Sequence, residues 1–366
     1  MNKDMSTSTI GELLEHSSVQ GLVSPEEATK IADHLSKTEK DEKDEKDPMY
    51  IRILIGIGAW FAAAFLLPFF VISGIIDSGG GSIICGAFLL AISCIIARSS
   101  KGTFLEQLAL ALAFAGNILT VVGAAEAFSW EDLTSALLMH ATVCAVMYPL
   151  YPSTTYRFLA PIVLAIMATL WIIEQEAFFL IHAVIAAEML LAGFLLLWQK
   201  CPARLMPLAY ASATTLPATL LFMNLTQVHL WRTNFSEPLW PSSLLLSGGL
   251  LYLLLHLAGS KRFTEPWMML ALVVTVLLGI FTTPGILVAI ALLVTGYAFG
   301  DRILTGLAYL FLPCFLIVFY YALHIDLAYK SYVVAGSGLL LLAVRWIVQY
   351  LQPQPQPQPH LKEEQR

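Results

Sequence analysis

Charge is what this chain has least of. Only 13% of its 366 residues are Asp, Glu, Lys or Arg and 58% are hydrophobic, against ~25% and ~45–50% in an ordinary soluble chain. That deficit excludes most soluble folds. Paired cysteines are missing too: Cys85, Cys94, Cys144, Cys201 and Cys314 are odd in number, scattered, and without Cys-x-x-Cys spacing or a histidine at zinc distance. They read as small apolar fillers, not as a disulfide framework or metal site. Lys and Arg form no stripe, which excludes a nucleic-acid partner. No phosphate loop, nucleophile elbow, His-Glu-x-x-His or dinucleotide fingerprint occurs, so neither an enzyme nor a cofactor is expected. Residues 1–48 lack the apolar core of a cleavable signal, so the first apolar span is expected to act as an uncleaved anchor.

What is present divides at Pro48. Met1 to Pro48 holds 6 basic and 12 acidic residues, while the remainder holds 14 of each. The net charge of −6 therefore belongs to a short head, and the body is neutral. Within the head, Ser24-Pro25-Glu26-Glu27 combines an N-cap serine, a proline at the first helical position and a glutamate three after the cap. Ala28, Ile31, Ala32 and Leu35 follow at spacings of three and four, which predicts a short amphipathic helix to Ser36, paired with an earlier one around Thr9 to Ser17. Glu39 to Asp47 is a charge-dense solvated linker. Residues 352–366 form a cytoplasmic tail in which Gln and Pro alternate from Gln352 to Pro359, favouring an extended polyproline-like form.

Between head and tail, residues 49–351 carry apolar runs long enough to cross a ~30 Å hydrocarbon core as helix. The first six are Arg52–Ile76, Ser82–Ala97, Phe104–Ala125, Thr134–Leu150, Tyr156–Ile173 and Glu176–Trp198. Six more are Arg204–Met223, Pro241–Ala258, Pro266–Phe281, Gly285–Phe299, Ile303–Tyr321 and Tyr332–Leu351. Lipid cannot satisfy exposed backbone groups, and the runs lack barrel-like alternation, so the fold class is all-α: a polytopic helical membrane bundle of about twelve spans. With the N-terminus inside, the cytoplasmic loops carry Arg98, Lys101, Arg157, Lys200, Arg204, Lys261, Arg262 and Arg302, and the outer loops only Arg232 and Lys330. This sorting fits the retention of basic residues in the cytoplasm and puts both termini there. The two short runs at Pro266–Phe281 and Gly285–Phe299 are also compatible with a re-entrant hairpin.

Polar residues at membrane depth are costly and point to function by default. Glu188, between Ala187 and Met189 with Val184 and Ala192 one turn away, is the strongest case. Its carboxyl is expected to face the bundle interior and hold a cation or proton, or to serve as a neutral hydrogen-bonded strut between helices. Asn117 and His140 are the other deep polar residues, and could line the same cavity or act as packing hydrogen bonds. Glu106, Gln107, His256 and Arg345 lie near span ends, where snorkelling accounts for them. Asp326 and Lys330 are spaced for a local ion pair. The longest outer loop, Asn224 to Trp240, contains two glycosylation-type sequons, at Asn224 and Asn234. Small-residue spacings around Gly74 and Gly336 fit close helix approach.

Met49 to Trp60 (Met-Tyr-Ile-Arg-Ile-Leu-Ile-Gly-Ile-Gly-Ala-Trp) resembles the opening span of a bacterial membrane-protein family, domain of unknown function 4401. Phe319 to Leu323, Lys330-Ser331 and Gly338 to Arg345 resemble its closing segment. Gly21 to Ala28 resembles the cytoplasmic lead-in of a second such family, domain of unknown function 2157. The resemblance implies a bacterial inner-membrane location and, as a partner beside the bilayer itself, a small membrane protein bearing a Gly-Asp-Tyr motif. It carries no catalytic residues. Two functions are therefore expected as alternatives: a secondary transporter or ion-coupled permease using Glu188, Asn117 and His140, or a non-transporting scaffold that docks a partner through its acidic head.

Overall fold

Backbone groups in an apolar medium must bond within their own segment, and the chain meets this demand with helices. A computed structural model describes residues 78–99, 102–128, 133–198, 200–227, 238–259 and 265–322, with separate positions between 57 and 74 and between 331 and 346. The head, the linker, the Asp326/Lys330 pair, Arg345 and the tail lie outside the described residues, as do most of the first and last expected spans. Among the described residues there is no strand.

The helices are α1 (Gly79–Ser99), α2 (Thr103–Phe128), α3 (Thr134–Leu150), α4 (Thr154–Glu174), α5 (Ile181–Leu197), α6 (Met206–Gln227), α7 (Trp240–Ala258), α8 (Pro266–Phe281), α9 (Pro284–Phe299) and α10 (Arg302–Ala322). Among the described residues, seven segments are long and apolar enough to cross a membrane, counting α5 with the 3-10 turn Phe178–Leu180 before it. The three shorter apolar ones are α3, α8 and α9. Two expectations need correction. Glu176 opens no helix: its φ of 53° places it in a tight left-handed turn, and helical structure resumes only at Phe178. The expected loop from Asn224 does not begin there either, because α6 runs on to Gln227. The Asn224 amide donates to the Leu220 carbonyl at 2.8 Å and Thr226 is buried, so this sequon is helical and closed to modification.

The chain divides into two compact units, residues 1–74 with 89–115, and residues 75–88 with 116–366. In the first, Ala109, Ala111 and Ala113 are buried and Trp60 stacks on Phe114 at 5.7 Å. In the second, glycines bring the start of α1 against the end of α2. A Cβ added at Gly86 would lie 2.7 Å from the Gly116 carbonyl, and one at Gly123 would lie 2.7 Å from that of Gly79. Only the absence of side chains permits this approach, the small-residue packing that membrane helices favour. The main core of this unit lies among α4 to α7, α9 and α10, around Ile181, Ile185, Leu220, Leu287, Leu304 and Phe315. There α9 is central, with Pro284 to Ala289 buried in succession, while α8 exposes much of its surface.

Polar ties at the helix ends fix the direction of each helix. At one end, the Leu133 amide donates to Glu174 Oε2 (2.7 Å), Trp171 Nε1 donates to Thr134 Oγ1 (2.8 Å), and His182 Nδ1 meets Ser242 Oγ (2.7 Å). The first two bonds join the start of α3 to the end of α4, and the third joins the start of α5 to that of α7. At the other end, Arg157 Nε donates to the Tyr148 carbonyl (2.9 Å), the group that Pro152 cannot serve because it lacks an N–H. Tyr148 in turn donates its hydroxyl to the Arg204 carbonyl (2.9 Å). Tyr210 donates to Asp301 Oδ2 (2.5 Å), while Asp301 Oδ1 accepts from the Ile303 amide (2.8 Å) and caps α10.

Candidate functional site

Nearly every polar side chain within these helices is satisfied by its own backbone. Thr142, Thr169, Thr214, Thr275 and Thr295 each donate to the carbonyl four residues back, at 2.7–2.9 Å. Such local bonds leave no polar group facing an apolar neighbour. Against this background, two places stand apart.

The first joins α2, α3 and α4. His140 is buried, with Nδ1 3.0 Å from the Asn117 side-chain amide and Nε2 3.1 Å from the Ala160 carbonyl. Cys144, one turn along α3, places Sγ 3.4 Å from the same Nε2 and 3.6 Å from that carbonyl. Cysteine, histidine and asparagine in this order have the outline of a thiol-nucleophile triad, but the protons do not fit one. The Ala160 carbonyl can only accept, so Nε2 carries the hydrogen, and Nδ1 then accepts from the Asn117 amide, whose oxygen and nitrogen exchange places by a flip. With Nε2 protonated, His140 cannot take a proton from Cys144, and the thiol is itself buried. The cluster is a clamp that ties three helices together. His140→Leu is expected to cost about 1–3 kcal/mol by stranding Asn117. Adding Asn117→Leu should recover part of that loss, with a coupling of ~0.6–1.7 kcal/mol in a thermal-unfolding double-mutant cycle.

The second place is Glu188 on α5. It is 8% exposed, and neither carboxyl oxygen has a hydrogen-bond partner. The Thr215 hydroxyl of α6 approaches it as a potential donor, but outside full hydrogen-bond geometry. That hydroxyl instead donates to the Ser212 carbonyl, through a long bond of 3.4 Å. Glu188 is the one buried carboxylate among the described residues, the others being partly or fully exposed. Sequence reasoning groups Glu188, Asn117 and His140; the structure bonds Asn117 to His140 and joins neither to Glu188. It also adds Cys144, signalled only by its i+4 spacing from His140, and Thr215, signalled by no motif. Glu106 is exposed in the first turn of α2, and His256 is exposed in the last turn of α7, stacked on Tyr252 at 5.9 Å.

Beside Glu188, a cavity of about 760 Å³ opens among α5, α6, α7 and α9, beginning at Met189. Its wall is almost wholly apolar, with Thr295 near the end of α9, His256 in the last turn of α7, and Trp198 just past the end of α5. Gly193 and Gly248 line it, and a Cβ on either would meet open space. Its volume falls in the ~300–1,000 Å³ range of small-molecule sites. None of Glu188, Asn117 and His140 lines it.

Long apolar helices, internally satisfied backbones and a few buried polar groups define a protein of the multi-pass helical membrane class. More particularly, the chain belongs to the family described as Domain of unknown function (DUF4401), which it matches over residues 48–351. No curated protein and no solved structure matches it.

Proposed function

We propose that the protein is a secondary transporter, an ion-coupled permease of the bacterial inner membrane that performs no chemistry on its cargo. Glu188 is its ion-binding group, and the neighbouring apolar cavity accommodates an apolar or amphipathic substrate. The observation that carries this reading is the buried carboxyl with both oxygens unpartnered, a costly arrangement that packing alone does not require. Asn117 and His140 support the framework instead of lining the substrate space.

In this reading twelve spans cross the membrane, with both termini cytoplasmic. Two features support it. Of the described Lys and Arg between residues 133 and 322, Arg157, Lys200, Arg204 and Arg302 all fall at the helix ends shared with Tyr148 and Asp301, as a cytoplasmic face requires. Phe315 of α10 packs against Gly285, so α9 runs antiparallel to α10 along its length, as a span would, and this favours full crossings over a re-entrant hairpin.

The test is proton flux into proteoliposomes holding an entrapped pH dye, under imposed pH and sodium gradients, with tetraphenylphosphonium and dodecylamine as amphipathic probes. Probe-dependent flux is expected in the wild type and should fall about 5–150-fold in Glu188→Gln, the span of ordinary coupling free energies. Undiminished flux in the variant removes Glu188 from the mechanism. Absence of flux under every gradient favours the scaffold with a docking head.

A further inference from the structure

The reading above leaves open which ion Glu188 binds, and its surroundings bear on that choice. An ionised carboxylate at this depth needs a counter-charge, so the helices packed on α5 have to be searched for one. On α4, Arg157 is bonded to the Tyr148 carbonyl, Glu174 holds the start of α3, and Tyr156 packs on Tyr151. On α6, Tyr210 is bonded to Asp301. On α7, Tyr252 and His256 stack on each other, and on α5 itself His182 meets Ser242. None of them is hydrogen-bonded to Glu188. The polar side chain acting on Glu188 is the Thr215 hydroxyl.

What neutralises the carboxylate must therefore come from outside. A hard metal cation asks for many oxygens, six to eight for calcium, at short and similar distances. Here one carboxyl and one hydroxyl are at hand, and the described residues include no group of three or more His, Cys, Asp or Glu that could hold a metal. A proton asks for a single oxygen. It also converts Glu188 from an acceptor into a donor, and the Thr215 oxygen on α6, whose own hydrogen goes to the Ser212 carbonyl, can accept from it. We infer that the ion taken by Glu188 is the proton, that sodium and other metal cations are not bound there, and that the carboxyl alternates between a neutral acid facing α6 and a deprotonated form during turnover. The inference rests on the permease reading for its purpose and on the geometry alone for its chemistry.

Dicyclohexylcarbodiimide tests it without any transport assay. The reagent is apolar and reacts with a protonated carboxyl: the acid hydrogen moves to a carbodiimide nitrogen and the carboxyl oxygen bonds to the central carbon. The adduct rearranges to a stable N-acylurea with nothing lost. The full-length protein in liposomes is treated across a pH series at constant ionic strength in choline, sodium, potassium or calcium chloride, and peptide mass mapping reads the label, with Glu188→Gln as the control for assignment. Glu188 is expected to be labelled, and to lose label about tenfold per pH unit above its midpoint, as one titrating proton requires. The pH curve should be the same in all four salts. Protection by sodium or calcium relative to choline at fixed pH would overturn the proposal, as would labelling that is absent or indifferent to pH. If label follows pH but proteoliposomes show no flux, the permease reading fails and the proton site stands; flux with sodium-protected labelling gives the reverse.

Discussion

The Glu188→Leu variant is expected to unfold at a higher temperature than the wild type. A buried polar group without a partner costs about 1–3 kcal/mol, and both oxygens of Glu188 are in that position. Leucine is close in size, and the surrounding positions on α5, Val184 and Ala192, are apolar. Replacing the carboxyl should therefore return that cost and, on the proposed permease reading, abolish flux, the trade expected where a functional group strains its fold. Glu188→Gln should give no such gain, because the amide brings donors and acceptors of its own. Thermal unfolding of the three proteins in one detergent makes the comparison. A Leu variant less stable than the wild type by about 1 kcal/mol or more would mean that the carboxyl is a strut bonded across helices. The functional reading of Glu188 would then lose its ground.

Gly86→Leu should be strongly damaging, as the mid-helix member of the two tightly packed glycines of α1. A Cβ there would lie 2.7 Å from the Gly116 carbonyl and 2.8 Å from the Thr120 amide nitrogen, and neither backbone group can swing aside. Overpacking ordinarily costs about 1–3 kcal/mol, and a leucine forced against backbone belongs at or above the top of that range. Gly80 supplies the control on the same helix: nothing lies within 4 Å of its added Cβ, and it is exposed. Gly80→Leu should be neutral or slightly stabilising, since glycine is ~1 kcal/mol worse than alanine in a helix. Equal melting temperatures for the two variants would show that α1 and α2 do not meet at these glycines.

Hydropathy made the ten described helices legible to within about five residues at each end, because the demand for internal hydrogen bonds leaves apolar runs a single secondary structure. Its errors arose where side-chain bonding outweighs hydropathy. Asn224 continues α6 by bonding back to Leu220, and the left-handed turn at Glu176 delays α5. Among the tight glycine contacts, those at Gly79, Gly86, Gly116 and Gly123 fall seven apart on each helix, while most residues around Gly74 and Gly336 lie outside the described residues. Seven residues are two helical turns, so the spacing was readable, but which glycine stripe meets another depends on helix neighbours. The same limit applies to the polar residues. Glu188 could be singled out from residue type and depth alone. Asn117 and His140 could be named in the same way, whereas their bond to each other, and the Ala160 carbonyl that sets the imidazole proton, follow from a packing order that one sequence does not encode.

The shortness of α9 has an electrical consequence. Its 16 residues rise about 24 Å. Phe315 marks where α10 passes the buried start of α9, and α10 then continues for seven residues, about 10 Å further. In the proposed arrangement of full spans, the Thr282-Thr283-Pro284 turn would sit deeper than the end of α10 and thin the insulating layer there. A membrane potential delivers ~2.3 kcal/mol per charge per 100 mV over the full thickness. Where the barrier is thinner, the same voltage falls over a shorter distance, so the local field is steeper. A proton crossing near α9 would spend most of that drop in a few helical turns, and the protein could respond to voltage without any arginine-bearing sensor helix.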